Sequence, residues 1–117
     1  MIISVNGLIL RSSWHLPRFY TLAVPALLAA QHAKGNLHAE TRKLGATFAS
    51  LTAWESRDAM IEYVRCPVHL RAMRAFPAMA TGHTLTFVGA QVPSWDDVPR
   101  LLEQAREASQ TDPRCAA

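Results

Sequence analysis

The sequence has few of the residues that mark metal sites, disulfide scaffolds or nucleic-acid tracts. Its 117 residues include two cysteines, Cys66 and Cys115, which have neither metal-ligand spacing nor a CxxC relation. The basic residues are scattered, and the formal net charge is only +3. A nucleic-acid footprint usually needs a clustered basic patch, and no dense run of lysine and arginine occurs here. We therefore expect free thiols, no metal site and no nucleic-acid partner.

Long apolar runs and phosphate-binding loops are also missing. The longest apolar stretch, residues 22–30, is far shorter than the ~20 residues that span a bilayer. The first residues lack the basic segment and cleavage site of a secretory signal. No glycine-rich phosphate loop, nucleophile elbow or Ser-His-Asp pattern occurs. These features predict a cytoplasmic protein that has no membrane partner.

The chain does contain enough apolar residues for one folded domain, since 50% of its residues are hydrophobic. Apolar and polar residues alternate in some segments and recur at helical spacing in others. Strands are predicted at residues 2–11, 37–44, 46–54 and 83–90. Helices are predicted at residues 14–33, 56–65, 67–76 and 93–109, the first with a kink or break at Pro25.

This order predicts a ferredoxin-like α+β fold, in which a βαββαβ unit forms a four-stranded antiparallel sheet. Residues 1–92 hold that unit, and residues 93–117 hold an additional amphipathic helix and a frayed tail. The additional helix is expected to cover a sheet edge or to extend a dimer interface.

The third strand has two chemically different faces, because alternate residues of a strand point to opposite sides. One face mixes aromatic and hydroxyl side chains: Phe48, Ser50, Thr52 and Trp54. The other is small and apolar, which suits closely packed helices. We expect the aromatic side to stay open in one chain and to be buried against a second sheet, at ~25 cal/mol per Å² of apolar area. A twofold homodimer is the simplest such assembly.

Three short motifs resemble those of the antibiotic-biosynthesis-monooxygenase-like family of dimeric α+β barrels. They are Leu51-Thr52-Ala53-Trp54-Glu55-Ser56, the pair Ala59-Met60, and Cys66-Pro67-Val68-His69. The segment from Gly7 to Phe19 also resembles a branch with spheroidene-monooxygenase-like proteins. The resemblance covers roughly residues 2–90.

This resemblance implies a small-molecule enzyme of secondary metabolism, monooxygenase-like or cyclase-like, acting on a planar or polycyclic compound in a barrel cavity. The alternative is a non-catalytic dimeric protein of the same fold that binds or stabilises a small molecule. Some relatives are cofactor-independent oxygenases, and we expect no cofactor. Others degrade haem with an axial histidine on the second helix, where His69 is the candidate. Alignment puts Met73 at that ligand position, one turn later, so haem stays an alternative only.

His69 is the predicted catalytic residue, since histidine titrates near neutral pH and can act as a general base. It shares a helix face with Met73 and Phe76. The alternative is a histidine at the interface of helix and sheet that bonds a backbone carbonyl.

The predicted substrate-binding residues supply aromatic walls, hydrogen bonds and positive charge. They are Asn6, Trp14, Arg18, Phe48, Ser50, Thr52, Trp54 and Met73. For the strand residues the alternative is dimer core or an interface hydrogen bond. For Trp14 and Arg18 it is a solvated first helical turn.

Overall fold

The computed structural model describes residues 1–111. Its strands are β1 (Ile2–Leu10), β2 (Asn36–Leu44), β3 (Thr47–Trp54) and β4 (Ala80–Val88). Its α-helices are α1 (Leu16–His32), α2 (Arg57–Val64), α3 (Pro67–Met79) and α4 (Val98–Thr111), and a 3₁₀ turn at Ser13–His15 precedes α1.

The four strands form one antiparallel sheet in the order β2-β3-β1-β4. β1 and β3 are central, and Asn6 lies opposite Ser50 on one side and Thr84 on the other. This is the predicted ferredoxin-like arrangement, and the α+β fold is confirmed. The polar strand β2 lies at an edge, as its sequence indicated.

The side of the sheet that carries Phe48 and Trp54, here the aromatic face, is covered by α1, α2 and α3. Phe19 of α1 contacts Phe48 at a ring-centroid distance of 4.7 Å. Tyr63 of α2 stacks on Trp54 at 5.1 Å. The prediction that this side lies open was therefore wrong. Large aromatic rings on both the sheet and the helices fill the space between them, so small strand residues are not needed there.

The opposite side, here the aliphatic face, packs against α4. Its fully buried strand residues are Ile3, Val5, Ala49, Leu51 and Ala53, which form one cluster with Val98 and Leu101 of the helix. The predicted apolar stripe of the last helix is thus confirmed. The helix lies directly on the face, which the small residues Ala49 and Ala53 allow, and it also contacts the edge strand β4. Its predicted part in a dimer interface stays a prediction. Both faces of the sheet are consequently occupied within one chain.

The connection into α4 is held against the edge strand β2. The guanidinium of Arg42 lies 5.0 Å from the ring centroid of Trp95, which is within the range of a cation–π interaction. Arg42 also pairs with Glu40 at 3.4 Å. These contacts fix the chain just before the helix begins.

Several predicted boundaries shift in the structure. α1 is one helix that contains Pro25. Thr21, whose carbonyl loses its partner there, is exposed, so water can solvate it and the helix continues. α3 contains Pro77 and ends at Met79, three residues after the predicted stop. β4 begins three residues earlier than predicted and α4 five residues later. Residues 110 and 111 belong to α4, and the rest of the predicted frayed tail, with Cys115, lies outside the described residues.

Two glycines adopt positive φ, and they offer a matched stability test. Gly35 (φ +83°) ends the turn after α1, and a Cβ there would lie 2.6 Å from the Cβ of Ala59. Gly45 (φ +61°) lies in the β2–β3 hairpin and has nothing within 4 Å of such a Cβ. We expect Gly45→Ala to cost about 1 kcal/mol of unfolding free energy from the backbone alone. Gly35→Ala adds a clash and should cost at least ~2 kcal/mol. Urea denaturation followed by circular dichroism compares the two, and equal losses would contradict the clash.

Candidate functional site

A row of polar side chains crosses the middle of the aromatic face. Thr84 Oγ1 donates to Asn6 Oδ1 at 2.6 Å, and Asn6 Nδ2 donates to Ser50 Oγ at 3.1 Å. The three residues lie side by side on β4, β1 and β3, because their backbones are directly paired. The two bonds fix the orientation of the Asn6 amide. One of its two N–H groups is used by Ser50, so the second is free to donate to another acceptor.

A second polar row runs beside the first. Ser4 and Thr86 exchange a hydrogen bond of 3.4 Å between their hydroxyls, and Thr52 Oγ1 donates to the carbonyl of Ser4 at 3.5 Å. Ser4 is buried, whereas Thr84 and Thr86 on the edge strand are exposed. The polar rows are therefore accessible from the β4 side of the aromatic face.

One end of the aromatic face carries a chain of three rings that ends at His69. Trp54 is 1% exposed and stacks on Tyr63. Tyr63 meets His69 edge to face at 4.9 Å, and its hydroxyl donates to the carbonyl of Ala26 at 2.8 Å. Burial, with Cys66 nearby, raises the pKa of Tyr63 to about 12, so the phenol keeps its proton.

The environment of His69 defines its protonation state. Its Nδ1–H donates to the carbonyl of Val64 at 3.0 Å, across the break between α2 and α3. This bond leaves Nε2 with a free lone pair. Desolvation by burial lowers the pKa of His69, against the opposing effect of the Val64 carbonyl. The imidazole is therefore neutral at pH 7 and can accept a proton at Nε2.

The other end of the aromatic face is a cluster of phenyl rings. Phe19 contacts Phe48 at 4.7 Å and Phe76 at 5.4 Å. Tyr20 closes the cluster edge to face against Phe48 at 5.9 Å. The polar rows thus lie between two aromatic groups on the same side of the sheet.

The three remaining predicted residues lie away from the polar rows. Trp14 is 90% exposed at the start of α1, and Met73 is 50% exposed on α3. Arg18 lines a groove of about 590 Å³ between α1 and α3, together with Arg71 and Arg74. Within the described residues none of these three arginines forms an ion pair. The groove therefore carries positive charge that is free to attract an anion.

Among the predicted residues, the fold brings Asn6 and Ser50 into contact and places Thr52, Phe48 and Trp54 on the same face. Sequence analysis missed Tyr63, which links Trp54 to His69, and it missed Thr84, which orients Asn6. Strand alternation divides β4 into two faces, but which strand lies beside β1 is a property of the sheet. The contacts of Tyr63 with Trp54 and His69 likewise depend on how α2 and α3 pack.

The donor groups were also compared with what a metal ion or haem requires. In the described part of the chain, no group of three His, Cys, Asp or Glu side chains could hold a metal ion. His69 packs against Tyr63, and Met73, at the aligned ligand position, is half exposed. Neither residue lines the groove between α1 and α3 or the cavity beneath α4. These residues do not fit a haem site.

No helix among the described residues has the length and apolar character needed to cross a membrane. No protein-family model matches the sequence. No curated protein matches it either.

Solved structures do share the fold. SnoaB, a cofactor-independent oxygenase from Streptomyces nogalater, matches with a TM-score of 0.64 at 15% identity, over 78% of this chain and 94% of that one. A protein from Deinococcus radiodurans described as a putative antibiotic biosynthesis monooxygenase matches with a TM-score of 0.69 at 19% identity, over 80% of this chain and 97% of that one. Rv0793 from Mycobacterium tuberculosis matches with a TM-score of 0.69 at 12% identity, over 80% and 100%. The predicted resemblance to antibiotic-biosynthesis-monooxygenase-like proteins is confirmed for the fold.

Proposed function

We propose that this chain, which has the fold of the antibiotic-biosynthesis-monooxygenase-like proteins, is an enzyme of monooxygenase or cyclase type acting on a planar polycyclic compound. The observation that carries the proposal is the polar row through Asn6, set between two aromatic groups on one face of the sheet. Aromatic walls with a few fixed polar groups are typical of sites for flat organic molecules. SnoaB, which has this fold, is described as a cofactor-independent oxygenase.

Asn6 is the residue proposed to hold a substrate oxygen. Its amide is already oriented by Ser50 and Thr84, so its free N–H needs no rearrangement when a ligand arrives. A fixed donor of this kind stabilises negative charge that develops on a phenolate or carbonyl oxygen. Ser50 and Thr52 extend the same polar surface along β3.

His69 is the proposed general base, acting through Nε2. The ring chain that leads to His69 begins at Trp54, four residues beyond Ser50 on β3. Four residues correspond to about 13 Å along a strand. An extended polycyclic substrate can span that distance, whereas a single ring cannot. In an oxygenase that uses no cofactor, the electron-rich substrate itself reduces O₂. The protein deprotonates and orients the substrate. Because Trp54 is fully enclosed, we propose that it supports Tyr63 instead of touching the substrate.

The arginine groove between α1 and α3 is proposed to attract a substrate that carries negative charge. Arg18, Arg71 and Arg74 line it together with apolar residues such as Leu22 and Leu70. A phenolate or carboxylate attached to an apolar ring system matches both properties. Trp14 and Met73, both exposed near these helices, are available for contacts with such a ring system.

A homodimer in the cytoplasm and a role in secondary metabolism are part of the same proposal. The homodimer cannot use an open sheet face, because α4 occupies the aliphatic face and α1 to α3 cover the aromatic one. Displacement of α4, or pairing through the edge strands β2 and β4, would supply the interface. Gel filtration with light scattering measures the state directly.

The second candidate function is non-catalytic binding of the same class of molecule. The observation that favours it is the Nδ1–H bond of His69 to the Val64 carbonyl. A histidine that bonds a backbone carbonyl is the alternative given by the sequence. In that role His69 stabilises the junction between α2 and α3 and takes no part in a reaction.

Replacement of His69 separates the two functions. With a hydroxylated anthracene as probe and O₂ uptake as the assay, we expect His69→Ala to lower turnover by about 10²–10⁴-fold while probe affinity changes little. His15→Ala, at the start of α1, is the matched control.

In the wild type the rate should fall as pH drops, with a midpoint below pH 6.5, because burial lowers the pKa of His69 and only its neutral form accepts a proton. Full turnover by His69→Ala would refute the assignment of His69 as the general base. If the wild type and all variants bind the probe but take up no O₂, the non-catalytic binding function is favoured.

A further inference from the structure

A second cavity lies on the other side of the sheet, beneath the last helix. Its volume is about 300 Å³, at the lower end of the range for small-molecule sites. The residues that line it come from all four strands and from α4: Gly7, Ile9, Leu44, Thr47, Thr81, His83, Pro99, Leu102, Glu103 and Arg106. It shares none of the residues assigned to the proposed substrate site on the aromatic face.

The lining is mostly apolar with a few polar groups. Ile9, Leu44, Pro99 and Leu102 provide aliphatic surface. Thr47 and Thr81 provide hydroxyls. Glu103 and Arg106 are paired with each other by a salt bridge on the helix. Because these charges already neutralise one another, the cavity offers no free charge to an ionic ligand.

His83 is the unusual member of the lining. It lies on β4 on the same side as Leu85 and Phe87, opposite Gly7. Its Nδ1 is buried and has no hydrogen-bond partner within the described residues. A buried polar atom without a partner costs about 1–3 kcal/mol. A turn of the imidazole ring towards the cavity would let a ligand there supply the missing bond. Since neutral imidazole carries one donor and one acceptor nitrogen, a hydroxyl group can serve whichever nitrogen is free.

We propose that this cavity is a binding site for a small, uncharged single-ring molecule that carries one hydroxyl, such as a phenol. The aliphatic lining holds the ring, and His83 exchanges a hydrogen bond with the hydroxyl. The volume is ample for one ring, since an apolar cavity of about 150 Å³ binds benzene. The cavity exists only because α4 lies on the aliphatic face, so the ligand also bridges the helix and the sheet.

The helix that closes the cavity follows the βαββαβ unit, whose last strand ends at Val88. The proposed cavity site needs this helix, whereas the proposed substrate site lies on the other face of the sheet. The two proposals can therefore be tested separately.

The test is titration of the full chain with phenol and with toluene. Amide chemical shifts in nuclear magnetic resonance spectra locate the bound probe, and calorimetry gives its affinity. We expect phenol to shift resonances of β4 and α4 and to bind about tenfold more tightly than toluene, since one buried hydrogen bond separates the two probes. His83→Leu should remove that preference, and His15→Leu, away from the cavity, should retain it. Leu102→Phe should block both probes by filling the space.

Two results would overturn the proposal. One is equal affinity for phenol and toluene in the wild type, which would show that His83 plays no part. The other is no binding of either probe, which would leave water as the partner of His83. Because Asn6→Ala changes only the other face, an unchanged phenol affinity in that variant together with altered O₂ uptake would separate this site from the proposed enzyme activity.

Discussion

Val98→Asp should remove a large share of the protein's unfolding free energy at 25 °C. Val98 is 0% exposed, in the cluster that joins α4 to Ile3, Val5 and Leu51. A carboxylate placed there has no partner, and an uncompensated buried charge costs about 3–5 kcal/mol, much of the total stability of a domain of this size. Circular dichroism and urea denaturation measure the loss.

Gln104→Asp is the control for that experiment. Gln104 lies on the exposed side of the same helix, so a charge there stays hydrated and the unfolding free energy should change by less than ~0.5 kcal/mol. A Val98→Asp protein as stable as this control would mean that α4 does not rest on the aliphatic face. Such a result would also remove the cavity proposed beneath the helix.

Trp54→Ala should be the most destabilising single truncation on the aromatic face. The ring is 1% exposed, stacks on Tyr63 and packs beside Ile2 and Ala30. Loss of a buried tryptophan costs about 3–5 kcal/mol, because the transfer energy is lost and a cavity remains. Urea denaturation followed by far-ultraviolet circular dichroism checks this without depending on tryptophan fluorescence.

Trp14→Ala is the matched control, since that tryptophan is 90% exposed. We expect its unfolding free energy to change by less than ~0.5 kcal/mol. If Trp14→Ala were the more damaging of the two, Trp14 would have to be covered in solution, for example by a second copy of the chain. The pair of variants therefore also tests whether the start of α1 is a free surface.

The packing of the helices removes the open sheet face on which the predicted homodimer depends. At the sequence level, a homodimer followed from an open aromatic sheet face that needed a partner. The structure covers that face with Phe19, Tyr63 and the other helix residues, and it covers the opposite face with α4. The hydrophobic argument for pairing two sheets is thus satisfied within one chain, and dimerisation has to rest on another surface.

The sequence by itself determined the elements, their order and much of their local chemistry. Ser56 caps α2 by accepting from the N–H of Ala59, and Gly35 has a left-handed φ in the turn after α1. Alternation correctly grouped Phe48 with Ser50 and Trp54. The last helix is amphipathic as predicted, with Val98, Leu101 and Ala105 on its buried side. Caps, turns and periodicity depend on residues close together in the chain, so they can be read from it directly.

Only the tertiary structure decided which element covers which face. Alternation divides a strand into two sides but does not say which side meets a helix, since both sides of β3 carry apolar residues. The choice depends on shape: rings of α1 and α2 fit against Phe48 and Trp54, while α4 fits closely on Ala49 and Ala53. The same packing oriented Asn6 between Ser50 and Thr84, and it left His83 Nδ1 without a partner among the described residues. The mixed face of β3 is therefore covered in part by helices of its own chain, which the sequence pattern alone does not reveal.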